Sequence, residues 1–431
     1  MSTSETAQSV PEPMTSAQRA RARRAVTAAS IGNALEWYDI MIYGYFAAVI
    51  SRLFFPNESE FVGLVLTFGT FAISYLVRPV GAIVIGGIGD KRGRKIALNL
   101  TILIMFVGTF LLTLAPTHEQ IGPAAAVLVL FARLLQGFSA GGEFGSATTF
   151  LTESAAQRKA YYASWQTATQ GASLLLAAAV SFAVTASLTD AQLDSWGWRV
   201  AFGVGLLIGP VGLYIRSKMD DTPEFAAAEV LDSPIRTTLR DNLGRVLTAA
   251  GCVGTATISM YLLLYMPTFA IRNMGLPAYS GYVGGIIGGL TVLTFAPHIG
   301  KLADRYGCVT VMRRAAGAGA ICGAPLFILL ERSPNVLTLT LVQAVLGVVL
   351  AFYFAPLPAL LSSMFPTTIR TTGVSVAYNI GVLLFGGTAP IVFAALVEGT
   401  GSLISPSYFY IVVCVISVCS LALARNRFAQ R

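Results

Sequence analysis

A chain of 431 residues with 55% hydrophobic and 12% charged side chains has too little polar surface to clothe a soluble globule of its mass. Its net charge of +8 would suit nucleic acid if the basic residues gathered on one face. They fall instead in alternate loops between apolar stretches, so basicity reports membrane topology and no nucleic-acid partner is needed. The five scattered cysteines lack metal-ligand spacing and read as small hydrophobic residues, so neither a metal nor another cofactor is expected.

In chain order, a polar, disordered tail over residues 1–24 precedes spans at about 27–51, 61–88, 96–115, 123–150, 163–187 and 197–215. Each is long enough to cross about 30 Å of hydrocarbon at 1.5 Å per residue. None shows the ten-residue alternating pattern of a barrel strand, so helices are expected. The first span carries Glu36 and Asp39 and lacks a small-residue cleavage site, so it is expected to stay in the mature protein rather than serve as a signal peptide. A polar linker at 216–245, holding DDTPEF and DSP, separates these from six further spans. Those lie at about 246–272, 279–302, 310–330, 335–363, 371–397 and 406–424, before a short tail at 425–431. The expectation is an all-α membrane protein of twelve helices in two six-helix halves, bundles at 25–215 and 246–424. Basic residues before the first span, around Lys91–Lys95, at Arg158 and Lys159, in the linker, and at Lys301, Arg305, Arg313, Arg314, Arg370, Arg425 and Arg427 share one parity. The positive-inside rule makes that side, with both termini, cytoplasmic. Only Arg52, Arg199, Arg272 and Arg332 sit at the opposite ends.

GGIGDKRG at residues 86–93 recurs as GKLADRYG at 300–307, half a chain further on. Two repeated halves with a site between them near the bilayer midplane is a common transporter plan. GGIGDKRGRK resembles the loop signature between the second and third helices of the major facilitator superfamily. Within it, GNALEWYD, RPVGAIVIGGIGD, RLLQGFSAGGE, WGWRVAF, FPTTIRTTG and FGGTAP resemble the bacterial metabolite:proton symporters over residues 31 to about 400. NESEFVGLVLTFG, YYASWQTATQ and FGGTAP look most like the citrate and tricarballylate members. The resemblance implies proton-coupled uptake of a small carboxylate across a bacterial inner membrane by a chain acting as a monomer, with protons and the lipid bilayer as the other partners. Two departures stand out. Cys308 replaces the usual arginine of the second loop motif and Ser363 the usual glutamate before FP, so a symmetrical charge latch is not expected in the second half. The osmosensory proline and betaine members usually carry a long extension beyond the last helix, whereas this chain ends about seven residues after it, which disfavours osmosensing but leaves osmolyte transport open.

An ionised side chain at the hydrocarbon centre costs at least about 2.5–3.5 kcal/mol, so each one needs a reason. Glu36 and Asp39 lie about 14–18 Å into the first helix, Arg78 about 15 Å from the inner end of the second and Arg133 about 15 Å into the fourth. Two acids and two bases at one depth compensate each other only around a shared interior. Arg133 and Arg78 are expected to receive the substrate carboxylate and Glu36 or Asp39 the coupled proton, against the alternative of a permanent ion-pair network that merely positions helices. Pro79, next to Arg78, argues for a bend there. Asn33, Glu36 and Tyr43 can share a helix face, and Gln136 lies one turn from Arg133. Gln166, Gln170, Tyr261, Tyr265, Tyr353, Tyr378 and Asn379 offer hydrogen bonds from other helices, though packing is the commoner fate of such residues.

Glu143 lies nearer the inner face, as a structural or gating partner, and His298 is read as making a local hydrogen bond. In the first loop motif Asp90 is expected to face a helix N-terminus or pair with a neighbouring arginine, and its repeat Asp304, with Arg305, is counted with it among the residues of a conformational latch. Glu153 is expected to pair with Arg94 in an inner latch. HExxH, a nucleophile elbow, a Walker loop and a selectivity filter are all absent, which argues against an enzyme or a channel. An exporter of the same superfamily would carry a glycine and proline signature in its fifth helix that SWQTATQGASLLLAAAV lacks. The alternatives left open are symport of a zwitterionic osmolyte and, behind it, export.

Overall fold

A computed structural model describes residues 16–57, 59–154, 156–217, 236–277 and 279–428. Every regular element among them is helical. The first half comprises α1 (Ser16–Tyr45, extended by Ala47–Phe54), α2 (Glu60–Arg92), α3 (Arg94–Thr113), α4 (Ala124–Ser154), α5 (Lys159–Ser187) and α6 (Trp198–Ser217). The second comprises α7 (Leu243–Met274), α8 (Tyr279–Tyr306), α9 (Cys308–Arg332), α10 (Val336–Phe354, extended by Leu357–Met364), α11 (Arg370–Val382, extended by Ala389–Thr400) and α12 (Ser405–Phe428). Among the described residues, 11 of these helices are long and apolar enough to cross a membrane. The twelfth is α1, whose polar Asn33, Glu36 and Asp39 lower its hydropathy and are fully buried among the other helices.

Three boundaries differ from the sequence reading. Helix α1 starts at Ser16, inside the expected tail, and α12 runs on to Phe428 through the expected terminal tail. Arg216, expected in the linker, is buried at the end of α6, because a carboxylate waits for it there. Residues 1–15, 218–235 and 429–431, parts of the expected tails and linker, lie outside the described residues.

The lipid-facing surface is legible in exposed apolar side chains such as Leu76, Leu207, Ile321 and Leu337. By contrast, 89% of the residues in the apolar stretch of α7 are buried, so it runs through the centre. The halves meet where α5 packs on α8 and α11 on α2 and α4. Small residues permit this. A Cβ on Gly171 of α5 would lie 2.5 Å from the Leu293 nitrogen of α8, so the two backbones touch. The last glycine of each loop motif, Gly93 and Gly307, turns the chain with φ of 107° and 89°, a conformation that side chains disfavour. The repeated motif therefore marks a repeated turn.

Candidate functional site

Glycines bring α2 and α4 close enough to seat their arginines beside α1. A Cβ on Gly137 would lie 2.9 Å from the Ser74 carbonyl carbon, and one on Gly141 would lie 2.8 Å from the Ala82 nitrogen. Glu36, Asp39, Arg78 and Arg133 consequently line one enclosed cavity of about 10 Å³ with Ser74, Met105 and Gln136. That is room for about one water molecule. All four charged residues are at most 3% exposed.

Their pairing is specific. Arg78 Nη2 approaches Glu36 Oε1 at 3.4 Å, and its guanidinium lies 4.0 Å over the Tyr75 ring. Arg133 reaches Asp39 through a go-between: Arg133 Nη1 donates to Gln136 Oε1 at 2.6 Å, and Gln136 Nε2 donates to Asp39 Oδ2 at 3.1 Å. Thr109 donates to the same Asp39 oxygen. The Arg133 guanidinium stacks 4.1 Å over Tyr43, whose hydroxyl bonds Thr70 at 2.5 Å. Three buried nitrogens, Arg78 Nε, Arg78 Nη1 and Arg133 Nε, and one carboxylate oxygen, Asp39 Oδ1, have no hydrogen-bond partner among the described residues. Buried groups of this kind are costly to leave unpaired, so they mark a place built to meet something else.

The remaining predicted residues fall into other clusters. Asn33 donates to the Gln166 carbonyl at 2.9 Å and faces Gln170, so it turns toward α5 while Glu36 turns toward α2. Asn379 donates to the Gly141 carbonyl at 2.8 Å, joining α11 to α4. Tyr378 stacks on Phe144 with centroids 3.5 Å apart. Tyr265 packs between Phe269 and Phe393, and Tyr353 donates to the Cys252 carbonyl at 2.8 Å. His298 meets the Thr294 carbonyl of its own helix at 2.9 Å. Tyr261 bonds the hydroxyl of Tyr75 across the two halves.

Glu143 forms a buried ion pair with Arg216, supported by Thr101 and the Leu98 carbonyl. Gly32 on α1 makes room for it, since a Cβ there would lie 2.7 Å from Glu143 Oε1. At the end of the bundle bearing the central linker, Asp304 accepts the backbone N–H groups of Ala160 (2.9 Å) and Tyr161 (3.1 Å) at the start of α5. Arg305 lies against the ring of Tyr306. Glu153 Oε1 meets Arg370 Nη1 of α11 at 3.4 Å, and Thr152 bonds Ser362 at 2.7 Å. The side chains of Asp90 and Arg94 lie outside the described residues. The opposite end is joined by Tyr282, which donates to the Tyr45 carbonyl at 3.3 Å. Bonds thus tie the halves together at both ends of the cavity.

Sequence reading missed Thr109, Tyr75, the partner of Glu143, and Phe71, whose ring centre lies 5.3 Å from the Arg133 guanidinium. Tyr75 sits one turn before Arg78, a spacing that could have exposed it. Thr109 gave no signal, because a threonine in an apolar helix ordinarily bonds its own backbone, as Thr109 also does to Met105.

The chain matches the Major Facilitator Superfamily over residues 29–390. It is 35% identical to the citrate-proton symporter of Klebsiella pneumoniae, covering 92% of this chain and 91% of that protein. It is 34% identical to the proline/betaine transporter of Escherichia coli (strain K12), covering 92% and 82%. Among solved structures, the proton:xylose symporter XylE bound to 6-bromo-6-deoxy-D-glucose aligns with a TM-score of 0.78 at 15% identity, covering 95% of this chain and 96% of that one. That likeness shows the fold alone. With its two six-helix halves, its repeated loop motif and its enclosed charged centre, this multi-pass membrane protein belongs to the Major Facilitator Superfamily and is a transporter rather than an enzyme.

Proposed function

We propose that this chain is a proton-coupled importer of a small carboxylate, citrate or another di- or tricarboxylate, working as a monomer by alternating access in a bacterial inner membrane. The face bearing the central linker and both termini is then cytoplasmic, as the basic loops require. The observation that carries the reading is the joint burial of two arginines and two carboxylates around one cavity, with three guanidinium nitrogens unpartnered. The relatives named citrate-proton symporter support it.

The mechanism follows from charge balance. With Asp39 ionised, the Gln136 amide bridges it to Arg133, and the two opposite charges compensate each other across that bridge. Protonating Asp39 removes that compensation and leaves a buried cation in need of an anion, which a substrate carboxylate supplies in two-pronged geometry. Proton binding therefore favours substrate binding, and by reciprocity substrate favours the protonated carrier. Glu36 stays with Arg78, or serves as the second proton site. The cavity is too small for a carboxylate while both ends are tied, so binding and release require the contacts at one end to part.

Relatives named proline/betaine transporter favour a second reading, symport of a zwitterion. Its cation, quaternary in betaine and a secondary ammonium in proline, would be met by an open aromatic face. The faces of Tyr43 and Tyr75 are already taken by Arg133 and Arg78, which puts the anion first. The test is uptake by proteoliposomes under an imposed proton gradient, with labelled citrate, tricarballylate, succinate, proline and betaine. The proposal expects carboxylates to accumulate when the outside is acidic and a protonophore to stop it. Accumulation of betaine or proline with no carboxylate uptake would replace it with the second reading.

A further inference from the structure

The geometry points to a second carboxylate subsite, formed by Arg78 with the hydroxyls of Tyr75 and Tyr261, that selects ligands carrying two or more carboxylates. This rests on the carboxylate reading proposed above and deepens it. Among the described residues, Arg133 meets the acceptor Gln136 at 2.6 Å and leaves its Nε unpartnered, whereas Arg78 meets Glu36 at 3.4 Å and leaves both Nε and Nη1 unpartnered while 3% exposed. Beside it, two fully buried tyrosines share one hydrogen bond. Two hydroxyls carry two hydrogens and one bond uses one of them, so a donor is left over. Arg78 Nε and Nη1 can only donate, and the spare hydroxyl hydrogen can turn toward the same point, so a carboxylate, all acceptor, is a ligand that all of them can meet.

The ring positions are set by the chain rather than by chance. The FGGTAP stretch forms a widened helical turn, Leu383–Gly387, at the middle of α11. A Cβ on Gly387 would lie 2.8 Å from Tyr75 Cγ, and one on Gly386 would lie 2.5 Å from Tyr261 Cε2. Only glycine lets both rings reach each other. Tyr75 belongs to the first half and Tyr261 to the second, so a ligand carboxylate here touches both halves, whereas Arg133 and its partners all belong to the first. A ligand with two carboxylates spans the subsites and draws the halves together around itself. A monocarboxylate fills the Arg133 subsite and adds no contact between the halves.

The experiment measures inhibition of labelled citrate uptake by tricarballylate, succinate and butyrate in proteoliposomes of the full chain and of Tyr75→Phe, Tyr261→Phe and Gly387→Ala. Phenylalanine keeps the ring packing and deletes only the hydroxyl, and the two substitutions lie in different halves, so a folding defect in one leaves the other informative. Each is expected to raise the tricarballylate and succinate constants about tenfold, the effect of losing a hydrogen bond to a charged group, and the butyrate constant less than about twofold. Gly387→Ala is expected to do the same by displacing Tyr75. Citrate uptake with unchanged selectivity in both phenylalanine variants, or an equal loss for all three inhibitors, overturns the subsite while leaving the carboxylate reading in place. A wild-type protein that accumulates betaine and no carboxylate overturns both.

Discussion

Replacing Gln136 with leucine keeps a side chain of similar volume and removes the one residue that joins Arg133 to Asp39. Two hydrogen bonds to charged groups disappear, at 2.6 Å to Arg133 and 3.1 Å to Asp39. At about 1.5–3 kcal/mol each, the loss is bounded at about 3–6 kcal/mol. Part of it returns if the arginine and the aspartate swing into direct contact, and that new ion pair is what a substrate carboxylate must then break. A residual penalty of about 1.4–2.8 kcal/mol corresponds to citrate binding weakened about ten- to a hundredfold. The sign of the pH dependence is fixed by the competitor: ionised Asp39 holds Arg133, protonated Asp39 does not, so the defect shrinks as pH falls. Calorimetric titration of the purified variant with citrate at two pH values reads this directly. Unchanged affinity at the higher pH, or a defect that grows on acidification, would refute the go-between role of Gln136.

Glu143→Leu leaves the Arg216 cation buried without its carboxylate and is expected to lower stability by about 3–5 kcal/mol, most of it regained in the double variant Glu143→Leu with Arg216→Met, as thermal melting in detergent will show. Gly137→Val forces a side chain into the Ser74 backbone and is expected to cost about 1–3 kcal/mol, whereas Gly69→Ala, with nothing within 4 Å, stays within about 0.5 kcal/mol by the same melting assay. Asp304→Ala removes the side chain that caps α5 and releases about 0.5–2 kcal/mol from the state closed at the linker end, so a cysteine placed at Ser164 is expected to react with thiol reagents about two- to thirtyfold faster.

The twelve-helix plan was legible because hydropathy, charge parity and the repeated loop glycines each report a property of single residues or short runs. The four intramembrane charges were legible for the same reason: their cost in hydrocarbon demands a common interior, and Glu36, Asp39, Arg78 and Arg133 do line one cavity. What escaped was which groups touch. Arg216 counted as a linker residue because a cation next to a polar stretch ordinarily stays in solvent, and nothing in the sequence tied it to Glu143 on another helix. Asn33 and Glu36, three residues apart, diverge because one helical face is wide enough to meet both α5 and α2. The go-between geometry of Gln136 depends on the α3–α4 approach that Gly108 allows, where a Cβ would lie 2.7 Å from Gln136 Cγ, and no pattern in the chain states that distance.

The most direct test of a carrier driven by protons through Asp39 is the variant Asp39→Asn, which keeps the shape of the side chain and fixes its charge at neutral. In proteoliposomes under an imposed proton gradient, it is expected to accumulate no citrate against its gradient while still exchanging internal for external citrate. Accumulation at the wild-type level would contradict the account.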